Sequence, residues 1–136
     1  METVFFKCPV CGNVMTPLVS SGITPFCCGR PMKELEANTV DATVEAHVPW
    51  IMCETKRDSV KPCYVVTVSV GKILHPSTPE HHICFIFLET EHGGEVKLIK
   101  DTCEPKGSFC CSSKPLMVYA YCNLHQLWKA PVSCPE

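Results

Sequence analysis

The sequence predicts an all-β protein in two parts: a small cysteine-rich segment built around a metal, then a larger β-sandwich of short strands. Three observations carry this expectation. Cys8, Cys11, Cys27 and Cys28 crowd into the first 36 residues with three glycines and four prolines. Beyond residue 36 the apolar residues alternate, or gather in short runs rich in β-formers. Twelve prolines are scattered along all 136 residues, which leaves little room for a long helix.

Residues 1–36 hold too little apolar material to bury a core of their own. Domains below ~40 residues usually need a metal, disulfides or a partner, so a metal core explains both the cysteines and the shortness. A second domain is expected over residues 37–136. In it, Tyr64, Val66, Val68 and Val70 alternate with Val65, Thr67 and Ser69, the period of a half-buried strand. Ile83-Cys84-Phe85-Ile86-Phe87-Leu88 reads as a fully buried strand. His92-Gly93-Gly94 suggests a hairpin turn into Val96-Lys97-Leu98-Ile99, and Leu116 to Tyr121 is a further apolar, aromatic run. Short strands at this spacing predict a sandwich. There is no internal repeat and no low-complexity segment.

Composition excludes several classes of function. Twelve basic and 14 acidic side chains nearly balance, so no broad binding of nucleic acid or acidic membranes is expected. No apolar run approaches the ~20 residues of a membrane span. The opening Met1-Glu2-Thr3-Val4-Phe5-Phe6-Lys7 lacks the basic-then-apolar pattern of an export signal. A cytoplasmic chain is expected, with its twelve cysteines as thiols, some of them binding metal.

Two constellations carry chemistry. Cys8-Pro9-Val10-Cys11-Gly12 is a knuckle in which two thiolates grip one metal while the glycine lets the backbone turn. Cys27 and Cys28 complete four sulfurs, a set that fits zinc or iron. Adjacent residues cannot both adopt relaxed geometry around one metal as easily as a C-x-x-C pair, so a distorted site is expected. The second constellation draws on six histidines, His47, His75, His81, His82, His92 and His125. Glu45-Ala46-His47-Val48-Pro49 sets a carboxylate two residues before a histidine. His75-Pro76 is followed by His81 at the lip of a strand. Cys122-Asn123-Leu124-His125 puts a thiolate and an imidazole at a spacing that reaches one metal.

The C-x-x-C pattern, fifteen residues and then Cys27-Cys28-Gly29 resembles the desulforedoxin-type iron centre. Four further stretches resemble the catalytic domain of superoxide reductases. They are Ala37 to Ala42, Glu45 to Pro49, Val70-Gly71 through His75-Pro76 to His81, and Tyr121 to His125 through Trp128-Lys129. Together they cover essentially the whole chain and resemble the desulfoferrodoxin family of two-iron superoxide reductases. The resemblance implies an immunoglobulin-like sandwich and iron, rather than zinc, at Cys8, Cys11, Cys27 and Cys28. It implies a second iron with His47, His75, His81 and His125 in a plane, Cys122 axial and one open position for superoxide. His81 is preferred to His82 because the family spacing from the His-Pro histidine is six. His82 and His92 remain as surface histidines. Glu45 would lie near the open position and close onto ferric iron after turnover. A rubredoxin-like electron donor and a homodimer are the family's partners; Phe5-Phe6 could serve the dimer or pack on its own chain.

The sequence departs from the family at Ala46, where many members carry a lysine thought to attract the anion and help deliver a proton. Lys72 and Lys114 are candidate substitutes. A slower reaction is expected, and the alternative is an iron electron carrier with weak superoxide reactivity. A structural zinc protein is a third reading. Cys53, Cys63, Cys84, Cys103, Cys110, Cys111 and Cys134 have no assigned role and are expected as free thiols, with Cys84 a small buried hydrophobe.

Overall fold

A computed structural model describes residues 3–56 and 63–135. The reading of Met1-Glu2 lies outside these residues. The chain divides into two compact units, Met1–Glu36 and Ala37–Glu136.

The small unit has five two-residue strands: β1 (Phe6–Lys7), β2 (Val14–Met15), β3 (Phe26–Cys27), β4 (Arg30–Pro31) and β5 (Lys33–Glu34). They form a three-stranded sheet in the order β2-β1-β5 and a separate β3-β4 hairpin. One buried cluster in it is Phe6, Cys8 and Met32, with Val4 and Cys27 against it, and Phe5 and Leu35 are buried as well. So little apolar burial cannot offset the entropy of ordering the segment, and the cysteines must contribute. Phe5 and Phe6 are both buried in the single chain.

The large unit begins with a single helical turn, α1 (Val44–His47), followed by β6 (Pro49–Lys56), β7 (Cys63–Val70), β8 (Ile83–Thr90), β9 (Gly93–Leu98), β10 (Lys106–Cys111), β11 (Pro115–Cys122) and β12 (Gln126–Pro131). A three-stranded sheet β10-β7-β6 and a four-stranded sheet β12-β11-β8-β9 face each other, and every pairing is antiparallel. The core lies between them. Val66, Val68 and Val70 of β7 and Phe109 of β10 meet Ile86 and Leu88 of β8 and Val118, Ala120 and Cys122 of β11.

Alternation along β7 predicts its buried residues correctly. The run in β8 departs from its reading: Phe85 and Phe87 are half-buried on the outer face. Phe85 stacks on Tyr121 with ring centroids 5.7 Å apart, and Phe87 meets Tyr119 edge-on at 6.3 Å. Cross-strand aromatic pairs thus pack side by side along this face of the sheet. The register also shifts, since Tyr121 pairs with Phe85 but Cys122 with Ile83. Cys84 is the extra residue of this bulge, half-buried rather than part of the core. The shift turns Ile83 inward, just after the histidine-bearing loop.

The free-thiol expectation fails for Cys53 and Cys134, which form a disulfide across 81 residues. The chain after β12 returns alongside β6, where Thr55 Oγ1 also donates to the Pro135 carbonyl at 2.8 Å. Long-range topology brings the two sulfurs together, and neither local sequence announces it.

One glycine sets up the site. A Cβ on Gly71 would stand 2.7 Å from the Glu45 carbonyl oxygen and 2.8 Å from that of Val48. Only glycine lets the end of β7 press this closely on α1. The Ile73 N–H donates to the Glu45 carbonyl at 2.9 Å and the His75 N–H to the Val70 carbonyl at 2.7 Å, so α1 and the His75 loop are held together.

Candidate metal centres

In the small unit all four cysteine sulfurs lie within 4.8 Å of one another. Four sulfurs placed tetrahedrally at ~2.3 Å from one ion would stand about 3.8 Å apart. The Cys11–Cys27 and Cys27–Cys28 sulfurs are 3.6 Å and 3.9 Å apart. The knuckle folds as its sequence requires: Gly12 takes a left-handed φ of 81°, and the Val10 and Cys11 N–H groups both point at Cys8 Sγ from 3.4 Å. The distortion expected at the adjacent pair shows in the backbone, where Cys28 has φ 55° and Gly29 φ 72°. Such a φ is uncommon for a residue with a Cβ. The Cys11 N–H, with lesser help from Val10, brings the Cys8 thiol down to about 6. Cys27, crowded first by Cys8 and then by Cys11, is pushed up to about 12. Four thiolates this close repel one another unless a cation lies among them.

In the large unit His47, His81, Cys122 and His125 offer donor atoms that all lie within 4.8 Å of one another. His75 joins them, its Nε2 3.2 Å from His47 Nε2 and 3.3 Å from Cys122 Sγ. His47 Nε2 is also 3.1 Å from His125 Nδ1.

The tautomers decide what this cluster wants. His47 Nδ1 lies 2.7 Å from the Thr43 carbonyl and His75 Nδ1 lies 2.8 Å from that of Pro76. A carbonyl accepts only, so each Nδ1 carries the proton and each Nε2 presents a lone pair. Two lone pairs therefore face each other across 3.2 Å. His81 Nε2 is buried with no hydrogen-bond partner among the described residues. Protonation does not relieve this. Burial, followed by neighbouring imidazoles, holds His47 and His81 below the usual histidine range and brings His75 down to about 4. Converging neutral imidazoles need a metal ion, and ligands at right angles ~2.1 Å from one ion stand about 3 Å apart. Cys122 is fully buried, which pushes its thiol up, while the His125 and Leu124 N–H groups favour the thiolate. Imidazole nitrogen with one thiolate suits iron, and the four-sulfur set does too. Both groups could hold iron.

Other residues complete the frame. Asn123 donates from Nδ2 to the Glu80 carbonyl and accepts the His82 N–H on Oδ1, both at 2.9 Å. It thereby ties the His81 loop to the turn carrying Cys122 and His125. Trp128 packs 4.9 Å from the His47 ring and donates from Nε1 to the His125 carbonyl at 2.9 Å. Sequence reasoning gave neither residue a role. An asparagine inside the Cys122–His125 spacing was the available signal for the first.

Glu45 is exposed, two residues before His47 on α1, and is not among the clustered donors. Ala46 is half-buried beside it. Lys72 lies in the loop braced against α1, with Nζ 5.5 Å from the Trp50 ring, and Lys114 is exposed beyond β10. His92 is on the surface as read. His82 is half-buried, its Nδ1 3.0 Å from the Thr78 carbonyl.

A nearly all-β fold with a four-sulfur group and a histidine–cysteine group defines a protein with two mononuclear metal centres. Known proteins agree. Residues 39–131 match the desulfoferrodoxin family model, and residues 2–35 match that of the desulfoferrodoxin N-terminal domain. The chain belongs to the desulfoferrodoxin family. It is 35% identical over 125 residues to the desulfoferrodoxin homolog of Archaeoglobus fulgidus, covering 92% of this chain and 94% of that protein. It is 40% identical over 104 residues to the superoxide reductase of Thermococcus kodakarensis, covering 65% of this chain and 87% of that one. The crystal structure of the Treponema pallidum superoxide reductase superposes with a TM-score of 0.74 at 27% identity, over 96% of this chain and 99% of that one. No helix among the described residues is long and apolar enough to cross a membrane.

Proposed function

We propose that this protein is a superoxide reductase, converting one superoxide, one electron and two protons to one hydrogen peroxide at an iron held by His47, His75, His81, His125 and Cys122. The observation that carries this reading is the convergence of buried imidazole lone pairs on the Cys122 sulfur. Iron bound there supplies the electron, cycling between ferrous and ferric. Burial favours the neutral forms of His47, His75 and His81, so these side chains offer lone pairs rather than competing protons. The His125 and Leu124 N–H groups favour charge on Cys122, and a thiolate ligand would donate electron density to a metal held there. Glu45, exposed on the same turn as His47, is assigned the carboxylate that closes the site after turnover. Residues 1–36 form the second iron domain, with Cys8, Cys11, Cys27 and Cys28 as ligands and an electron-transfer or structural role. The reading includes a rubredoxin-like donor, a homodimer and a cytoplasmic setting.

Ala46 favours one alternative, an iron electron carrier that reacts only weakly with superoxide, because the side chain next to His47 carries no charge to attract an anion. Product yield separates the two. Reduced protein given superoxide and a reductant should form one peroxide per superoxide without evolving oxygen. Peroxide at half that yield, with oxygen released, is spontaneous dismutation and would exclude the reductase.

A further inference from the structure

Outside both centres, two sulfurs stand closer than any other non-bonded sulfur pair described above. Cys63 Sγ at the start of β7 lies 2.9 Å from Cys110 Sγ near the end of β10. That is inside the ~3.5–4.0 Å optimum for two carbon atoms and beyond the ~2.05 Å of a disulfide. We propose that Cys63 and Cys110 are a peroxide-sensitive dithiol that closes reversibly to a disulfide across the β7–β10 edge.

Geometry separates this from a metal site. Sulfurs sharing one ion stand about 3.8 Å apart, as the small unit's do, whereas this pair is too close for that. A metal would also need further donors, and no group of three or more metal-capable side chains among the described residues includes either cysteine. Cys111 does not complete one: it packs against the sandwich core while Cys110 faces solvent.

Register explains why the bond is reversible. Cys110 is opposite Val65, so Cys63 is its diagonal neighbour on the same face. Diagonal residues sit ~7–8 Å apart, slightly beyond the usual Cα separation of a disulfide. The strand ends must draw together to close the bond, and among the described residues β10 is an edge strand paired with β7 alone. Strained, exposed disulfides are the reducible ones. Cys53–Cys134, already bonded between β6 and the chain after β12, is its structural counterpart.

The chemistry balances. The exposed Cys110 thiolate attacks one peroxide oxygen; the O–O bond breaks and hydroxide leaves, taking a proton to become water. The Cys63 thiolate then attacks the sulfenic sulfur, the S–O bond breaks, and a second water forms. The two sulfurs lose two electrons and the two oxygens gain them. Hydrogen peroxide is the product under the function proposed above, but in the test it is added directly, so the two readings fail separately.

The test is a peptide map of the full-length metal-loaded protein after reduction, desalting and timed exposure to hydrogen peroxide. Cys63 and Cys110 should lose reactivity toward iodoacetamide together, at least tenfold faster than the exposed Cys103, and yield a cross-linked peptide 2 Da below the sum of its parts. Dithiothreitol should restore both thiols. Cys63→Ser should leave Cys110 as a sulfenic acid trapped by dimedone, and Cys111→Ser should leave the cross-link intact. The proposal is overturned if wild-type protein forms no 63–110 link while Cys103 oxidises, or if Cys110 passes to the sulfinic acid without linking.

Discussion

Asn123 is the residue on which the second centre should depend without being a ligand to it. Its side chain makes two hydrogen bonds of 2.9 Å to the backbone on either side of His81. Asn123→Ala removes both and leaves one main-chain bond, from the Asn123 N–H to the His82 carbonyl at 3.1 Å. Each lost bond is worth roughly 1 kcal/mol net, so about 2 kcal/mol of the ordering of the His81 loop disappears. If that ordering must be restored whenever metal binds, affinity falls about thirtyfold, within the 10–100-fold typical of residues that orient ligands. Asn123→Asp keeps the acceptor and loses the donor, so it should show about half the effect in free energy. Competition with a chromophoric chelator measures this, and the four-sulfur centre serves as an internal reference that should not change. Affinities within threefold of wild type, at unchanged folding, would show that the His81 loop is held by other contacts.

Other perturbations test other parts of the account. Cys122→Ser should keep the fold and abolish both the thiolate charge-transfer band of the second centre and nearly all superoxide reduction, read by visible spectra and rapid mixing. Cys11→Ser should remove metal from the small unit alone, checked by metal analysis, since no residue of that unit is a proposed ligand of the other centre. Ala46→Lys places a cation near the proposed superoxide site. Two unit charges at roughly 6 Å interact by about 3 kcal/mol at an effective dielectric near 20. Only part of this reaches the encounter, so about a tenfold faster second-order rate is expected at low salt, shrinking as ionic strength rises. For the metal-free protein, His75 falls from 6.5 in the unfolded chain to about 4 in the fold. The unfolded state then binds more protons between these values, so stability is full above pH 6.5 and declines as pH falls toward 4. The loss from His75 alone is about 3 kcal/mol, with His47 and His81 acting in the same direction. Urea titrations across that range check it.

Much of the fold is legible because its signals are local. The alternation around Val66, Val68 and Val70 needs only the period of a strand, and the glycine after Cys11 marks its own turn. What escaped depends on residues distant in sequence. Phe85 and Phe87 look like core, yet Tyr121 and Tyr119 on β11 cover them from the side. Cys53 and Cys134 meet only because the chain after β12 returns to β6. The histidine and cysteine spacings suggested a metal site from sequence, but the tautomers set by the Thr43 and Pro76 carbonyls could not be read there. Those carbonyls turn a group of histidines into converging lone pairs.

The central claim is that superoxide takes its electron at the histidine–cysteine centre. Pulse radiolysis of the fully reduced protein, following the visible bands of both centres after one superoxide pulse, tests it most directly. The account predicts that the band of the Cys122-containing centre rises in a process first order in protein and in superoxide, and that it does so unchanged in Cys11→Ser. Superoxide that decays at its spontaneous rate while that band stays flat, or oxidation confined to the four-sulfur centre, would contradict it.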